Sequence, residues 1–441
     1  MENLLRKIDD GSAVVGILGL GYVGLPLAMA FSERFKVVGF DVSNRVMDCL
    51  LKGVSHVQDV SSAKIKDRLG KSFFPSADPS ALRDCDFLII CVPTPLTESG
   101  IPDLSLVESA CRIVAGALRK GQFVILESTT YPGTTDEIVI PILEDSGLKV
   151  GKDVGVAYSP ERIDPGNKRF TVEKVPKVVG GIDDVCTEVA AALYGSVIVQ
   201  VVKVSNARTA ESVKMVENIF RNVNIALVNE LALVMERMDI DAWEVIDAAA
   251  TKPYGFMPFY PGPGVGGHCI PLDPYYMSYK AKKYGFIPRF IETSGEINEF
   301  MKVHAVNLAE RGLKSVGSKL MRSTVAVMGL AYKKNIDDYR ESPSIDIIDE
   351  LRRVGANVRV YDPGVRSIPT KSGTWRSEAS AADALRGADC AIFVVDHDEF
   401  KDMSPENLVK EMKTPVVVDC KNVLTDHENL VYLGIGKVNR V

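Results

Sequence analysis

The sequence predicts an α/β fold in which two doubly wound, Rossmann-like domains are joined by a central all-helical domain with one long bridging helix. Three observations predict it. Short apolar runs alternate with helix-period stretches over roughly the first 205 residues; a continuous helical pattern then begins; and the alternation resumes near residue 320. Alternation of that kind marks βαβ units and a mostly parallel sheet. At 441 residues the chain also exceeds what one hydrophobic core serves, and the divisions fall at 1–205, 206–318 and 319–441.

Taken in order, the first domain offers the strand runs AVVGIL, KVVGFD, DFLIICVPT, QFVILEST, DVGVAYSP, KVVGG and VIVQVV. The stretch SLVESACRIVAGALRK between them has helical period and is entered from Asp103, a capping residue. From Ser205 to about Asp239 no proline or glycine interrupts the helical pattern. Such a helix would span roughly 45–50 Å, too long for one small domain. Helices follow at AWEVIDAAAT, near PYYMSYKAKKYG and at SGEINEFMKVHAVNLAERGL, with the proline- and glycine-rich loop KPYGFMPFYPGPGVGGHCIPLDP among them. The last domain opens on TVAVMGL and continues through ANVRVYDP, CAIFVVD and PVVVDC.

Bulk properties exclude several function classes. A formal net charge of −6 argues against a nucleic-acid binder, which needs a basic surface to displace counterions. The longest apolar runs, AVVGILGL and FLIICV, fall short of the ~20 residues that a membrane span requires. The charged N-terminus MENLLRKIDD lacks a signal-peptide core, so a cytoplasmic protein is expected. The eight cysteines form no CxxC pair and no metal-ligand spacing, so reduced thiols and no metal are expected. Most of them sit inside apolar stretches; Cys269 does not.

The first strand runs into GLGYVG, which sets Gly19, Gly21 and Gly24 in GxGxxG spacing around Tyr22 and Val23. Glycines there permit a tight turn, close approach to a pyrophosphate and helix packing, while the helix N-terminus presents N–H groups to the anion. The next strand ends at Asp41, whose carboxylate can accept from ribose hydroxyls and repel a 2′-phosphate, so NAD is favoured over NADP. Thr94 and Thr129 close two further strands at the sheet edge where such folds bind ligands; alone they read equally as loop residues.

In GPGVGGHCIPLDP, glycines 262, 264, 266 and 267 frame Cys269, and Asp273 follows four residues on. A thiol so presented can add to an aldehyde, give up a second hydride as a thiohemiacetal and leave a thioester for water to cleave. The residues alone leave Cys269 poised between nucleophile and structural thiol, and His268 reads as a loop hydrogen-bonder rather than a base. In the long helix Lys214 and Asn218 share a face, with Arg221 and Asn222 further along. This stripe reads either as a cationic site for an oxyanion or as a solvated face. YSPER holds Glu161 and Arg162 in a rigid charged turn, and AYKKNIDDYRESP sets Lys333 and Arg340 after a strand; both read as ligand contacts or as solvated charge.

With these residues in hand, the chain resembles the UDP-glucose/GDP-mannose dehydrogenase family over essentially its whole length. GLGYVG, PTP, STTYPGT, YSPER, SVKMVEN, GPGVGGHCIPLDP and AYKKNIDDYRESP occur in the family's order. The resemblance implies Cys269 as nucleophile, and Asp273 with Thr129 and a water as proton relay. It further implies Lys214 and Asn218 at the sugar O6 and oxyanion, and Glu161 in thioester hydrolysis. Arg162, Arg221, Tyr260, Gly266 and Lys333 would meet the UDP-sugar, and Arg340 would reach NAD. TKPYGFMPFYPGPGVGGHCIPLDP looks like the UDP-N-acetylglucosamine 6-dehydrogenase branch, which supplies surface polysaccharides. Glucose-specific members carry an arginine upstream of the cysteine, and no lysine or arginine stands between Lys252 and Cys269 here. UDP-glucose, UDP-N-acetylmannosamine and UDP-N-acetylgalactosamine stay open as substrates. The resemblance also implies a homodimer or larger assembly through the central helices. The rivals are a two-electron dehydrogenase of a 3-hydroxy acid, which needs no loop cysteine, and a non-catalytic NAD or nucleotide-sugar sensor.

Overall fold

A computed structural model describes the chain except for residues 98–99, 164–170, 268, 426 and 440–441. It resolves into two compact units, residues 1–217 with 275–286 and residues 218–274 with 287–441.

The first unit is built on an eight-stranded sheet: β1 (Val14–Leu18), β2 (Lys36–Phe40), β3 (Phe73–Ser76), β4 (Phe87–Ile90), β5 (Phe123–Leu126), β6 (Gly155–Tyr158), β7 (Lys177–Gly181) and β8 (Val201–Lys203). Their spatial order is β3-β2-β1-β4-β5-β6-β7-β8. All neighbours are parallel except β6 and β7. β1 is central, with Val15 opposite Val37 on one side and Phe87 on the other, and its last four residues are buried. Strands covered on both faces read as continuous apolar runs, which is why six were legible, while the largely exposed β8 showed through its valine-rich run VIVQVV. β3 was not, because Pro75 lies within it; an edge strand tolerates a residue that cannot donate to a ladder. Asp103 accepts the Ser105 N–H at the start of the Ser105–Ala117 helix.

The long helix runs Ala207–Arg237, 31 residues or about 46 Å. Beyond it Asp239 takes a left-handed φ of 56°, which ends the helical path.

The second unit holds a parallel sheet of β9 (Thr324–Met328), β10 (Asn357–Tyr361), β13 (Cys390–Phe393), β14 (Val416–Asp419) and β15 (Val431–Gly434) in the order β10-β9-β13-β14-β15. A hairpin of β11 (Ser367–Thr370) and β12 (Gly373–Arg376) interrupts it in sequence. The hairpin and β15 are short and carry no long apolar run, so the sequence reading passed over them. The Arg289–Ser315 helix packs on β13, β14 and β15, close enough that a Cβ on Gly312 would strike Val416. No described helix is long and apolar enough to cross a membrane.

Candidate active site

The glycine turn after β1 is built for a dinucleotide. Gly19 has φ 90°, and an added Cβ would lie 2.6 Å from the Cys91 carbonyl oxygen. A Cβ on Gly24 would sit 1.8 Å from the Gly19 carbonyl oxygen, so the Gly24–Phe31 helix closes directly on the turn. Gly21 differs: its Cβ would meet nothing within 4 Å, leaving bare backbone facing open space where a pyrophosphate needs it. Tyr22 is part exposed beside it, and Val23 immediately precedes the helix. Asp41 accepts the N–H groups of Leu20 and Ser43, both at 2.8 Å, and lines a cleft of about 180 Å³ with Leu18, Phe40, Val42, Pro93 and Ile113. A mostly apolar slot ending in a carboxylate fits an adenosine, so these residues fit NAD.

At the carboxyl edge of the same sheet, Thr94 is buried and its carbonyl accepts the Tyr276 hydroxyl at 2.6 Å. Thr129 is half-buried on the segment after β5. Sequence reasoning missed Glu211, which anchors that segment: its carboxylate accepts the N–H of Gly133 (2.5 Å) and of Thr135 (2.8 Å) and the Thr135 hydroxyl (2.7 Å). Burial pushes Glu211 up to about 7, against those hydrogen bonds. Glu161 is buried, accepts the Ile163 N–H and lies 3.4 Å from Lys214 Nζ. Arg162 is committed elsewhere, donating to Glu217 at 2.6 Å and to the Pro176 carbonyl at 2.5 Å.

The polar stripe of the long helix is not solvated. Lys214, Asn218 and Asn222 are 5%, 8% and 4% exposed, whereas Arg221 is exposed. Asn218 Nδ2 donates to Asp273 Oδ2 at 2.5 Å, and Asn222 Nδ2 to the Ile270 carbonyl at 3.1 Å.

The thiol loop is held by backbone contacts within the second unit. The Gly262 N–H donates to Asn229 Oδ1 (2.9 Å) and the Gly267 N–H to the Arg340 carbonyl (3.0 Å). Gly267 has φ 85°, and a Cβ on Gly266 would lie 2.8 Å from the Glu341 carbonyl oxygen, so both glycines are required by shape. The carbonyl of Cys269 accepts the N–H groups of Leu272 and Asp273, starting the Asp273–Lys283 helix. Burial pushes the thiols of Cys85, Cys111 and Cys186 up to about 12 and those of Cys91, Cys390 and Cys420 up as well. Cys269 is half-buried and shares that exposure with Cys49 alone. His268 lies outside the described residues.

Tyr260 stacks on Trp243 and donates to Asp247 at 2.6 Å. Lys333 is half-buried after β9, and Arg340 pairs with Asp338 at 2.6 Å. Among the described residues no group of three or more His, Cys, Asp or Glu could hold a metal.

Comparison with known proteins agrees along the whole chain. Three family models match: the UDP-glucose/GDP-mannose dehydrogenase family NAD binding domain at residues 13–198, its central domain at 208–300 and its UDP binding domain at 326–426. The UDP-N-acetyl-D-glucosamine 6-dehydrogenase of Pseudomonas aeruginosa is 37% identical, covering 94% of this chain and 98% of its own. The structure of a UDP-D-ManNAc dehydrogenase from Pyrococcus horikoshii superposes with a TM-score of 0.90 at 35% identity, covering 97% of this chain and all of its own. That of an NDP-N-acetyl-D-galactosaminuronic acid dehydrogenase from Methanosarcina mazei gives 0.86 at 31% identity, covering 99% and 97%.

Proposed function

Since the chain belongs to the UDP-glucose/GDP-mannose dehydrogenase family and is an NAD-dependent nucleotide-sugar dehydrogenase, we propose that it oxidises C6 of a UDP-N-acetylhexosamine, most suitably UDP-N-acetylglucosamine, to the carboxylate through a Cys269 thioester. The observation that carries this reading is local to the thiol loop: a half-buried cysteine on a glycine frame, four residues before a buried aspartate that Asn218 holds in place.

NAD would be held by the Gly19–Gly24 turn and Asp41, with Tyr22, Val23, Thr94, Thr129 and Arg340 assigned to the same cofactor, and would supply the hydride acceptor for both oxidations. The chain does the rest. Asp273 takes the proton as the alcohol is oxidised, with Thr129 assigned to the same relay. Lys214 and Asn218 stabilise charge developing on O6; a buried cation is worth far more there than in water. Cys269 then adds to the aldehyde as a thiohemiacetal, loss of the second hydride and a proton from that adduct leaves the thioester, and Glu161 assists the water that cleaves it to the carboxylate and the free thiol. Glu161 is suited to that work because Lys214 and the Ile163 amide orient it.

For substrate contacts we retain Lys333, Tyr260 and Gly266, and Arg221 on the exposed side of its helix. Arg162 contributes by tying its turn to Glu217 rather than by touching the sugar. The division at 1–205, 206–318 and 319–441 is offered as the functional one, with the helical part serving assembly. Opposite the buried stripe, Phe220, Leu227, Leu231 and Val234 leave one apolar face of the long helix exposed, which suits a homodimer. A cytoplasmic role in surface polysaccharide synthesis follows from the substrate class.

The names of the relatives divide among N-acetylglucosamine, N-acetylmannosamine and N-acetylgalactosaminuronic acid. The test is therefore a panel of UDP-glucose and the three UDP-N-acetylhexosamines with NAD, read at the NADH absorbance band. Preference for UDP-N-acetylglucosamine by about tenfold or more in kcat/KM supports the assignment; preference for UDP-glucose overturns it.

A further inference from the structure

Two aspartates occupy corresponding places in the two units. Asp41 follows β2, accepts the Leu20 and Ser43 N–H groups and opens onto the adenosine-sized cleft. Asp362 follows β10 and accepts four N–H groups, from Leu330 (2.7 Å), Ala331 (2.9 Å), Gly364 (2.8 Å) and Val365 (2.8 Å). It is only 3% exposed, and His397 closes it off with Nε2 at 3.0 Å from Oδ2. Burial would raise the carboxyl, but the His397 and backbone hydrogen bonds outweigh it and hold Asp362 below the usual carboxylate range.

His397 is wholly buried and follows β13. Its Nδ1 lies 3.0 Å from the Asn335 N–H. A donor at Nδ1 requires a lone pair there, which puts the ring proton on Nε2, facing Asp362. Asn335 adopts φ 60° and is further clamped by its side chain, which donates to Asp398 at 2.6 Å. The segment after β9 is thus tied at Leu330 and Ala331 through Asp362 and at Asn335 through His397, and Lys333 lies between these two anchors.

The three strands involved, β10, β9 and β13, are neighbours, and the chain order reverses between β9 and β13. Open α/β sheets bind ligands at that switch point, beyond the carboxyl ends of the strands. We propose that His397 is a positioning residue for nucleotide binding by the second unit: with Asp362 it fixes the Lys333 segment, and it internalises the carboxylate that stands where Asp41 stands in the first unit and could otherwise receive a dinucleotide ribose. The second unit therefore selects a mononucleotide diphosphate held by cationic and backbone groups. This rests on the reading of Lys333 as a nucleotide contact.

The test uses the full chain and isothermal titration with UDP and, separately, NADH. His397→Phe, which fills the space but removes both hydrogen bonds, should weaken UDP binding and raise KM for the nucleotide sugar about tenfold or more, with NADH affinity and kcat within about twofold. His397→Gln, which restores an acceptor and a donor, should return UDP affinity to within about threefold of wild type. UDP affinity unchanged in His397→Phe overturns the proposal, as does a joint fall in UDP and NADH affinity or failure of both variants to fold, since each assigns the pair to general stability. Lys333→Ala separates the premise: if it binds UDP as tightly as wild type, the nucleotide reading of Lys333 fails and takes the proposal with it; if it binds weakly while His397→Phe does not, only the positioning role fails.

Discussion

Asn218 donates its amide to the Asp273 carboxylate across 2.5 Å, joining the long helix to the first residue of the helix that follows Cys269. Both side chains are buried, so water does not compete for the bond. A proton acceptor fixed in this way needs no reorganisation during reaction. Asp273→Asn should keep the fold and NADH affinity while lowering kcat by about 10²–10³-fold. Stopped-flow measurement of the first NADH formed checks this; a kcat within about threefold of wild type removes Asp273 from the proton relay.

Asn222 and Ser294 support the thiol loop one step away from the chemistry. The Ser294 hydroxyl donates to Asn222 Oδ1 at 2.8 Å, which aims the Asn222 amide at the carbonyl of Ile270, the neighbour of Cys269. Ser294→Ala should cost about 1–2 kcal/mol of stability and lower kcat about fivefold to tenfold with KM little changed, because the nucleophile is displaced rather than removed. Asn222→Ala should have the larger effect of the two. Chemical denaturation together with steady-state kinetics reads both.

Glu211 gives the first unit a pH-dependent stability. Its folded value of about 7 lies above its ordinary 4.5, so the stability it contributes is full below pH 4.5 and is lost as pH rises to about 7. Relative to Glu211→Gln, the wild type should lose up to about 3 kcal/mol of unfolding free energy over that window and run parallel to the variant outside it. Urea melts from pH 4 to 8 decide this, and a difference that rises with pH reverses the sign.

The apolar face of the long helix gives the fourth prediction. Leu231→Glu with Leu227→Glu should convert a dimer to monomer in sedimentation velocity without unfolding it, because both side chains are 41–49% exposed in the single chain. An unchanged sedimentation coefficient places the assembly surface elsewhere.

Much of this was legible in the sequence, and the misses share a cause. Buried parallel strands announce themselves as apolar runs, and glycines 19 and 24 mark contacts that only hydrogen fits. β3 escaped because Pro75 disqualifies a central strand but not an edge. The stripe of the long helix was visible, yet its burial was not, since polarity alone cannot separate a solvated face from a network satisfied by Glu161, Asp273 and the Ile270 carbonyl. Glu211 and His397 were missed for the same reason: each is satisfied by partners 35 or more residues distant, which no local pattern encodes. Asp362 did carry a signal, standing after its strand as Asp41 does after β2.

The decisive measurement is the number of NADH formed per uronic acid released by the wild type, with Cys269→Ser run beside it. Two NADH per product, and turnover abolished or arrested at an enzyme-bound ester in the serine variant, are the results expected of a thiol that carries the second oxidation. One NADH per product, or a serine variant that turns over at the wild-type rate, contradicts the thioester route.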